Sequence, residues 1–319
     1  MNPFPIHFSI DLEPDERLPG DDNKTYDNAG AALERMAVWR GEIEAATGVP
    51  AQFGWYVRMD RHIGALYGDP CAIANRYKPM LDEAARAGDE IGLHIHAIER
   101  RRDGGWRANY ADERAVCETV DEAFANFKSV FGRNCDAARM GDMWTSKACM
   151  AQIARCGARY DITLETGLRP QGIAALYPGT GSKGARPSML GAPMAPFRPY
   201  AADNDDFWVL PLASYPRDDF TRPGMWLVSA YSSITTGFRR NRARMMLRPQ
   251  EEYAPDRLKT LLEAALSEGK QPGFCFAIRN LGPAERVEQF LEALIGLGRE
   301  RPIKFCTPAE YVRIATAAR

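Results

Sequence analysis

The chain has 319 residues, 45% of them hydrophobic and 26% charged, with a formal net charge of −1. That length can bury one barrel-sized core or two smaller ones, and the composition is ordinary for a soluble globular protein. At −1 the net charge gives no argument for a nucleic-acid or membrane partner, and no apolar run reaches the roughly 18 residues of a spanning helix.

The start of the chain, Met1 to His7, has neither the basic beginning nor the apolar stretch of a signal peptide, so a cytoplasmic site of action is expected. Seven cysteines (71, 117, 135, 149, 156, 275 and 306) are an odd number, widely spaced and without a C-x-x-C pair. They suit reduced, mostly buried thiols better than a disulfide framework or a cysteine zinc site.

The first element is a strand, Ile6 to Asp11, which runs into Leu12-Glu13-Pro14-Asp15, where the proline stops it. Asp21 to Tyr26 is a polar loop. A helix follows over Asn28 to Thr47, with Leu33, Met36, Ala37, Ile43 and Ala46 at near-helical spacing and Gly48 at its end. Ala51 to Asp60 reads as a second strand with polar residues at its end. Asp69 to Gly88 holds a second helix. Glu90 to His96 reads as the third strand, and Glu99 to Gly105 as a charged, solvated loop. Asp112 to Phe131 is a long helix carrying Val116, Val120, Phe124 and Phe127. Cys135 to Asp142 gives a short strand and loop, Ser146 to Cys156 a helix stopped by Gly157, and Arg159 to Thr163 another strand.

Between about residues 166 and 253 proline and glycine become dense, and a long irregular stretch within a compact domain is usually functional. Strands are expected in it at Phe207 to Leu212 and Met225 to Ser229. The basic cluster Phe238 to Arg244 is either a solvated helix face or a holder for a phosphate or carboxylate of a sugar. After it come a helix over Asp256 to Glu268, a strand over Gly273 to Asn280, a helix over Ala284 to Leu297, a strand over Ile303 to Thr307 and a closing helix over Pro308 to Ala318.

Strand followed by helix, repeated six or seven times, argues an α/β fold on a parallel sheet. No G-x-G-x-x-G or Walker lysine follows the first strand, which argues against a nucleotide-binding doubly wound sheet. The polar candidates sit at strand C-terminal ends, the rim where a β/α barrel builds its site. They are Asp11, Glu13, Arg58, Asp60, His94, His96, Arg139 and Asp161.

Only four histidines occur, His7, His62, His94 and His96, and two of them form an H-x-H pair. Residues i and i+2 of a strand face the same way, so two imidazoles can converge on one metal ion. Asp11 and Glu13 form a second such pair. An isolated H-x-H or D-x-E is often plain packing or turn chemistry; the strand ends and the scarcity of histidine favour a site.

The order of these motifs resembles the polysaccharide deacetylases, the NodB-type, carbohydrate esterase 4-like family. Ser9-Ile10-Asp11-Leu12-Glu13 stands at the family's first acidic strand end, Glu90-Ile91-Gly92-Leu93-His94-Ile95-His96 at its histidine pair, Arg139-Met140-Gly141-Asp142-Met143-Trp144 at its arginine loop and Tyr160-Asp161 at the next strand. The resemblance covers residues 6 to 165 and thins out beyond. It is nearest to divergent members with a D-x-E and an H-x-H that occur in O-antigen clusters, of the WbmS kind.

It implies one distorted (β/α)7 barrel over residues 1–319, with the insert at about 166–253. It implies a metal-dependent hydrolase that removes an N-acyl group, acetyl or formyl, from an amino-sugar or polysaccharide precursor of a surface polysaccharide. His94, His96 and either Glu13 or Asp11 would hold a divalent metal, zinc suiting two imidazoles, one carboxylate and an open position. The remaining carboxylate, Asp11 in first place, would be the general base, with Arg139 orienting a site carboxylate. Asp60 and Asp161 would orient ligands or meet sugar hydroxyls; Arg58, Trp55, Trp144 and Tyr160 would contact the sugar.

Two departures stand out. Leu12 occupies the family's usual metal-binding aspartate position. The late strand ends in Arg279-Asn280 where the family has a histidine acid, and arginine cannot cycle as an acid. His62 is then the spare histidine for proton donation. A competing expectation is a silent barrel that binds a glycan or a partner. A glycoside hydrolase or amidohydrolase-like barrel would need more histidine ligands than this chain has.

Overall fold

The computed structural model describes residues 3–189, 191–199, 206–216, 244–280 and 284–317. The expected strand at Met225 to Ser229 and most of the Phe238 to Arg244 cluster lie outside them. The strands are β1 (Phe4–Leu12), β2 (Gly54–Arg58), β3 (Glu90–Ile95), β4 (Ile98–Arg100), β5 (Trp106–Ala108), β6 (Ala137–Met140), β7 (Tyr160–Asp161), β8 (Gln171–Gly172), β9 (Ala185–Arg186), β10 (Trp208–Val209), β11 (Ser214–Pro216), β12 (Arg244–Met246), β13 (Phe274–Arg279) and β14 (Ile303–Phe305).

One parallel sheet runs in the order β10-β7-β6-β3-β2-β1-β13. β14 pairs with the start of β1, on the edge where β2 has not yet begun. Past β10, Ala213 donates its backbone N–H to Cys275 in β13 at 2.7 Å, so the curved sheet nearly meets itself. Seven strands along the path agree with the expected barrel, and the gap leaves it a half-barrel. Helices Asp27–Thr47, Ala72–Arg86, Glu113–Phe131, Lys147–Arg155 and Ala284–Glu300 supply the crossovers and outer layer.

Strand alternation decides what faces where. Ile6, Phe8, Ile10 and Leu12 of β1, Ile91, Leu93 and Ile95 of β3, and Phe274, Phe276 and Ile278 of β13 join the large core under the helices. The alternate residues face into the barrel: His7, Ser9 and Asp11; Tyr56 and Arg58; Gly92 and His94; Cys275, Ala277 and Arg279. This inner face is narrow at the strand starts and charged at the ends. His7 shows the closed end: Nδ1 lies 2.9 Å from the Cys306 carbonyl and Nε2 3.1 Å from the Tyr56 hydroxyl. The ring donates to the first and accepts from the second, so it is held neutral.

Three local expectations are corrected. Glu99 to Gly105 is loop only from Arg101: Glu99 and Arg100 belong to β4, which forms an antiparallel hairpin with β5, Glu99 opposite Arg107. An additional helix, Arg61–Tyr67, follows β2 because Asp60 caps it, its carboxylate accepting from the His62 and Ile63 amides. The expected strand at Phe207 to Leu212 shortens to β10.

Burial lowers the His7 pKa from 6.5 to about 4, against the opposing carbonyl contact. The unfolded chain therefore binds this proton more readily, and stability falls as pH drops from 6.5 toward 4. Between pH 7 and 4.5 the wild type is expected to lose about 2.5 kcal/mol more than a His7→Gln variant. Urea unfolding of both proteins at the two pH values measures the difference; equal losses would refute it.

Candidate metal centre

β1 and β3 carry the two i, i+2 pairs onto one rim. Glu13, His94 and His96 are buried, and one ligand atom from each lies within 4.8 Å of the others. His96 Nε2 is 2.9 Å from His94 Nε2 and 3.4 Å from Glu13 Oε2, and His94 Nε2 is 3.8 Å from the same oxygen. Tetrahedral zinc with bonds near 2.0–2.1 Å needs ligand atoms about 3.3 Å apart, so the three fit one ion. Oε2 of Glu13 is buried with no hydrogen-bond partner, as an oxygen reserved for a cation would be.

The other nitrogen of each ring faces a carboxylate. His94 Nδ1 is 3.7 Å from Asp11 Oδ1, and His96 Nδ1 is 3.3 Å from Asp142 Oδ2. A carboxylate as near as Asp142 fixes ring orientation and leaves Nε2 of His96 as the ligand atom, whereas the contact of Asp11 with His94 is too long for a hydrogen bond. Asp142 is itself held by Arg17 at 3.1 Å and by the Tyr110 and Tyr177 hydroxyls at 3.0 and 2.7 Å. Burial opposes its ionisation, but His96 and Arg17 outweigh that and hold its carboxyl well below the usual range. Burial would lower His96, yet Asp142 and Glu13 leave it raised. His94 is lowered by burial and by His96 beside it.

Asp142 went unrecognised as a site residue in the sequence. Its one local signal is Gly141-Asp142, where the chain turns sharply: Asp142 has φ 54° and Met143 φ 53°. A Cβ on Gly141 would sit 2.2 Å from His96 Nε2. Gly141→Ala must therefore displace the His96 ring. It is expected to weaken metal affinity at least about tenfold while leaving the fold intact, checked by competition with a chelating indicator. Unchanged affinity would show that the ring does not need this space.

Asp11 lies beside this cluster and is not part of it. Arg139 hydrogen-bonds its Oδ2, and its buried Oδ1 has no hydrogen-bond partner. Burial raises the Asp11 pKa to about 6, with Arg139 pulling the other way. Of the two carboxylates left open as ligands in the sequence, Glu13 is the one with an oxygen grouped with both imidazole nitrogens. Burial would raise Glu13 as well, but Arg279, whose Nε is 2.8 Å from Oε1, and the two histidines hold it well below the usual range. Asn280, with φ 43°, clamps the same residue: its side chain accepts from the Glu13 N–H and donates to the Glu13 carbonyl. The position read as a missing histidine is thus an arginine that supports Glu13.

Arg58, Asp60 and His62 are fully buried behind the ligands. Arg58 grips Asp60 through two bonds of 2.9 Å, and Asp60 accepts the His96 N–H at 3.1 Å. His62 Nδ1 accepts from Arg58 at 3.2 Å, and burial and then Arg58 depress its pKa to about 3. A proton donor works with a pKa near the operating pH, so His62 sits here as support for Arg58. Asp161 accepts from the Thr163 amide and hydroxyl, and burial raises it to about 6.

The aromatic candidates are buried and already engaged. Trp55 points to the outer core and donates to Asp89 at 2.8 Å. Trp144 stacks on Tyr110 with ring centres 5.0 Å apart, and Tyr160 is buried beneath Arg159. Among the described residues no helix is long and apolar enough to cross a membrane.

No protein-family model and no curated protein matches the sequence. Solved structures do. At 15% identity and a TM-score of 0.53, 99% of this chain aligns with 91% of a protein of Mycobacterium smegmatis assigned as a polysaccharide deacetylase. The PuuE allantoinase aligns at 13% identity and a TM-score of 0.53, over 98% of this chain and 90% of its own. A protein of Pseudomonas aeruginosa PAO1, also assigned as a polysaccharide deacetylase, aligns at 12% and 0.52, over 97% and 90%. This chain therefore has the parallel half-barrel fold of the NodB-like polysaccharide deacetylases.

Proposed function

We propose that the protein is a metal-dependent amide hydrolase that removes an N-acyl group from an amino sugar, acting on a precursor of a surface polysaccharide such as O-antigen. One observation carries the reading: two imidazoles and a carboxylate converge next to a buried carboxylate that is held by an arginine and has one oxygen free. The fold shared with polysaccharide deacetylases supports it, and the D-x-E and H-x-H motifs point to the O-antigen setting.

Glu13, His94 and His96 would hold a divalent ion, zinc suiting the donor set best, and such an ion polarises the acyl carbonyl and acidifies water. Asp11 takes the proton of the attacking water at Oδ1, while Arg139 keeps Oδ2 occupied and the carboxylate aimed. No histidine stands where the family places its acid, so Asp11 also returns that proton to the departing nitrogen. Water and amide then leave as a small carboxylic acid and a free amine. Arg279 and Asn280 keep Glu13 ionised and oriented.

Elemental analysis of the purified protein, before and after reconstitution with divalent ions, tests the site. About one equivalent of metal, with amine release from N-acetyl amino sugars, is the expected result. No metal under either condition would overturn the hydrolase and leave a glycan-binding or partner-binding barrel.

A further inference from the structure

The insert brings a second group of charges up to the rim. Hairpin β8–β9 sets Gln171 opposite Arg186, and the turn after β12 carries Arg248. Both guanidiniums reach the Met143 sulfur, Arg186 Nη1 at 3.7 Å and Arg248 Nη2 at 3.5 Å. Met143 directly follows Asp142, so this pair adjoins the support of His96. With Glu165, Gly167, Arg169 and Gln171, the two arginines line a pocket of about 310 Å³.

Packing does not account for Arg186. It is 4% exposed, its side-chain partners among the described residues are the Gln171 amide oxygen and the Met143 sulfur, and its Nε has none. No carboxylate lies within ion-pair distance of it among the described residues. A guanidinium out of water without a carboxylate at ion-pair distance is costly, and a second one beside it adds repulsion. Arg248 meets Glu165 at 3.5 Å and Glu251 at 3.7 Å, loose contacts for a side chain that is 38% exposed. Glu165 acts on Arg186 through space but pairs with Arg248 instead. An incoming anion would relieve both penalties, and the planar forks of arginine suit phosphate and carboxylate oxygens.

We infer that this pocket is an anion subsite, taking a phosphate or carboxylate of the substrate while the amide lies at Glu13, His94 and His96. The placing of the amide rests on the proposed hydrolase; the anion binding does not. The substrate is then an amino sugar that carries either a phosphate-linked carrier or a uronic acid carboxylate.

Calorimetric titration of the full chain with inorganic pyrophosphate, glucuronate and neutral N-acetylglucosamine tests this. It is run on the protein as purified and again after chelator treatment, so that a bound metal cannot account for phosphate binding. One or both anions should bind, at least tenfold more weakly to R186Q and R248Q, with N-acetylglucosamine indifferent to either change. Pyrophosphate binding alone points to a phosphate-linked carrier, and glucuronate binding alone to a uronic acid. Thermal unfolding separates a site from a structural role: R186Q should keep or raise the unfolding midpoint, because a lone buried charge is gone. Neither anion binding to the wild type, or both variants binding like it, overturns the subsite even where metal is found. Anion binding without metal keeps the subsite and removes the hydrolase. Should R186Q fail to fold, R248Q decides.

Discussion

His96→Ala is expected to purify folded and without metal, with kcat/KM for amide hydrolysis lowered at least about a thousandfold, because a three-ligand site does not survive the loss of an imidazole. The fold should tolerate the change. Asp142 keeps Arg17 and the Tyr110 and Tyr177 hydroxyls, so removing the ring does not strand a buried carboxylate. His94→Ala should behave alike. Asp142→Asn, which touches no ion, should weaken metal affinity by only about 10–100-fold. Elemental analysis beside a progress curve for amine release reads both. A His96→Ala protein that keeps a full equivalent of metal would move the ligand set elsewhere.

Asp11→Asn should separate chemistry from metal binding. The residue lies outside the Glu13, His94 and His96 cluster, so the variant should hold its metal. Loss of a positioned base typically lowers kcat by about 10²–10⁴. The pH profile supplies the sign. Burial raises Asp11 to about 6, and a base must be ionised to accept a proton. Wild-type kcat/KM should therefore fall as pH drops below about 6, and this limb should vanish from the residual activity of Asp11→Asn. A variant with near wild-type kcat, or one that keeps the acid limb, would assign the base to another group. Asp161, also raised to about 6 by burial, is the group to test next.

The two pairs at the heart of the site were legible in the sequence for a local reason. A strand repeats every two residues, so Asp11 with Glu13 and His94 with His96 had to share faces wherever those strands lay. Alternating Ile, Leu and Phe between them decided that the polar face turned inward, because the outer face had to bury its hydrocarbon beneath helices. The strand-helix repeat likewise settled a parallel sheet.

What the sequence left open depended on contacts between distant segments. Which of Asp11 and Glu13 stands with the two imidazoles was decided by Arg139, 128 residues from Asp11, and by Arg279 and Asn280 at the end of β13, beside β1. Arg279 could be read only as a lost acid until the parallel register set it opposite Asp11. Asp142 became the partner of His96 through a tight turn at Gly141 and a gathering of Arg17, Tyr110 and Tyr177 from three separate segments. His62 changed from proton donor to buried support once Arg58 was seen to occupy its nitrogen. The sequence by itself determined which residues face the barrel, since strand periodicity is a local property. The tertiary structure alone decided their charge states and partners, since burial and ion pairing are set by whatever folding brings within a few ångströms.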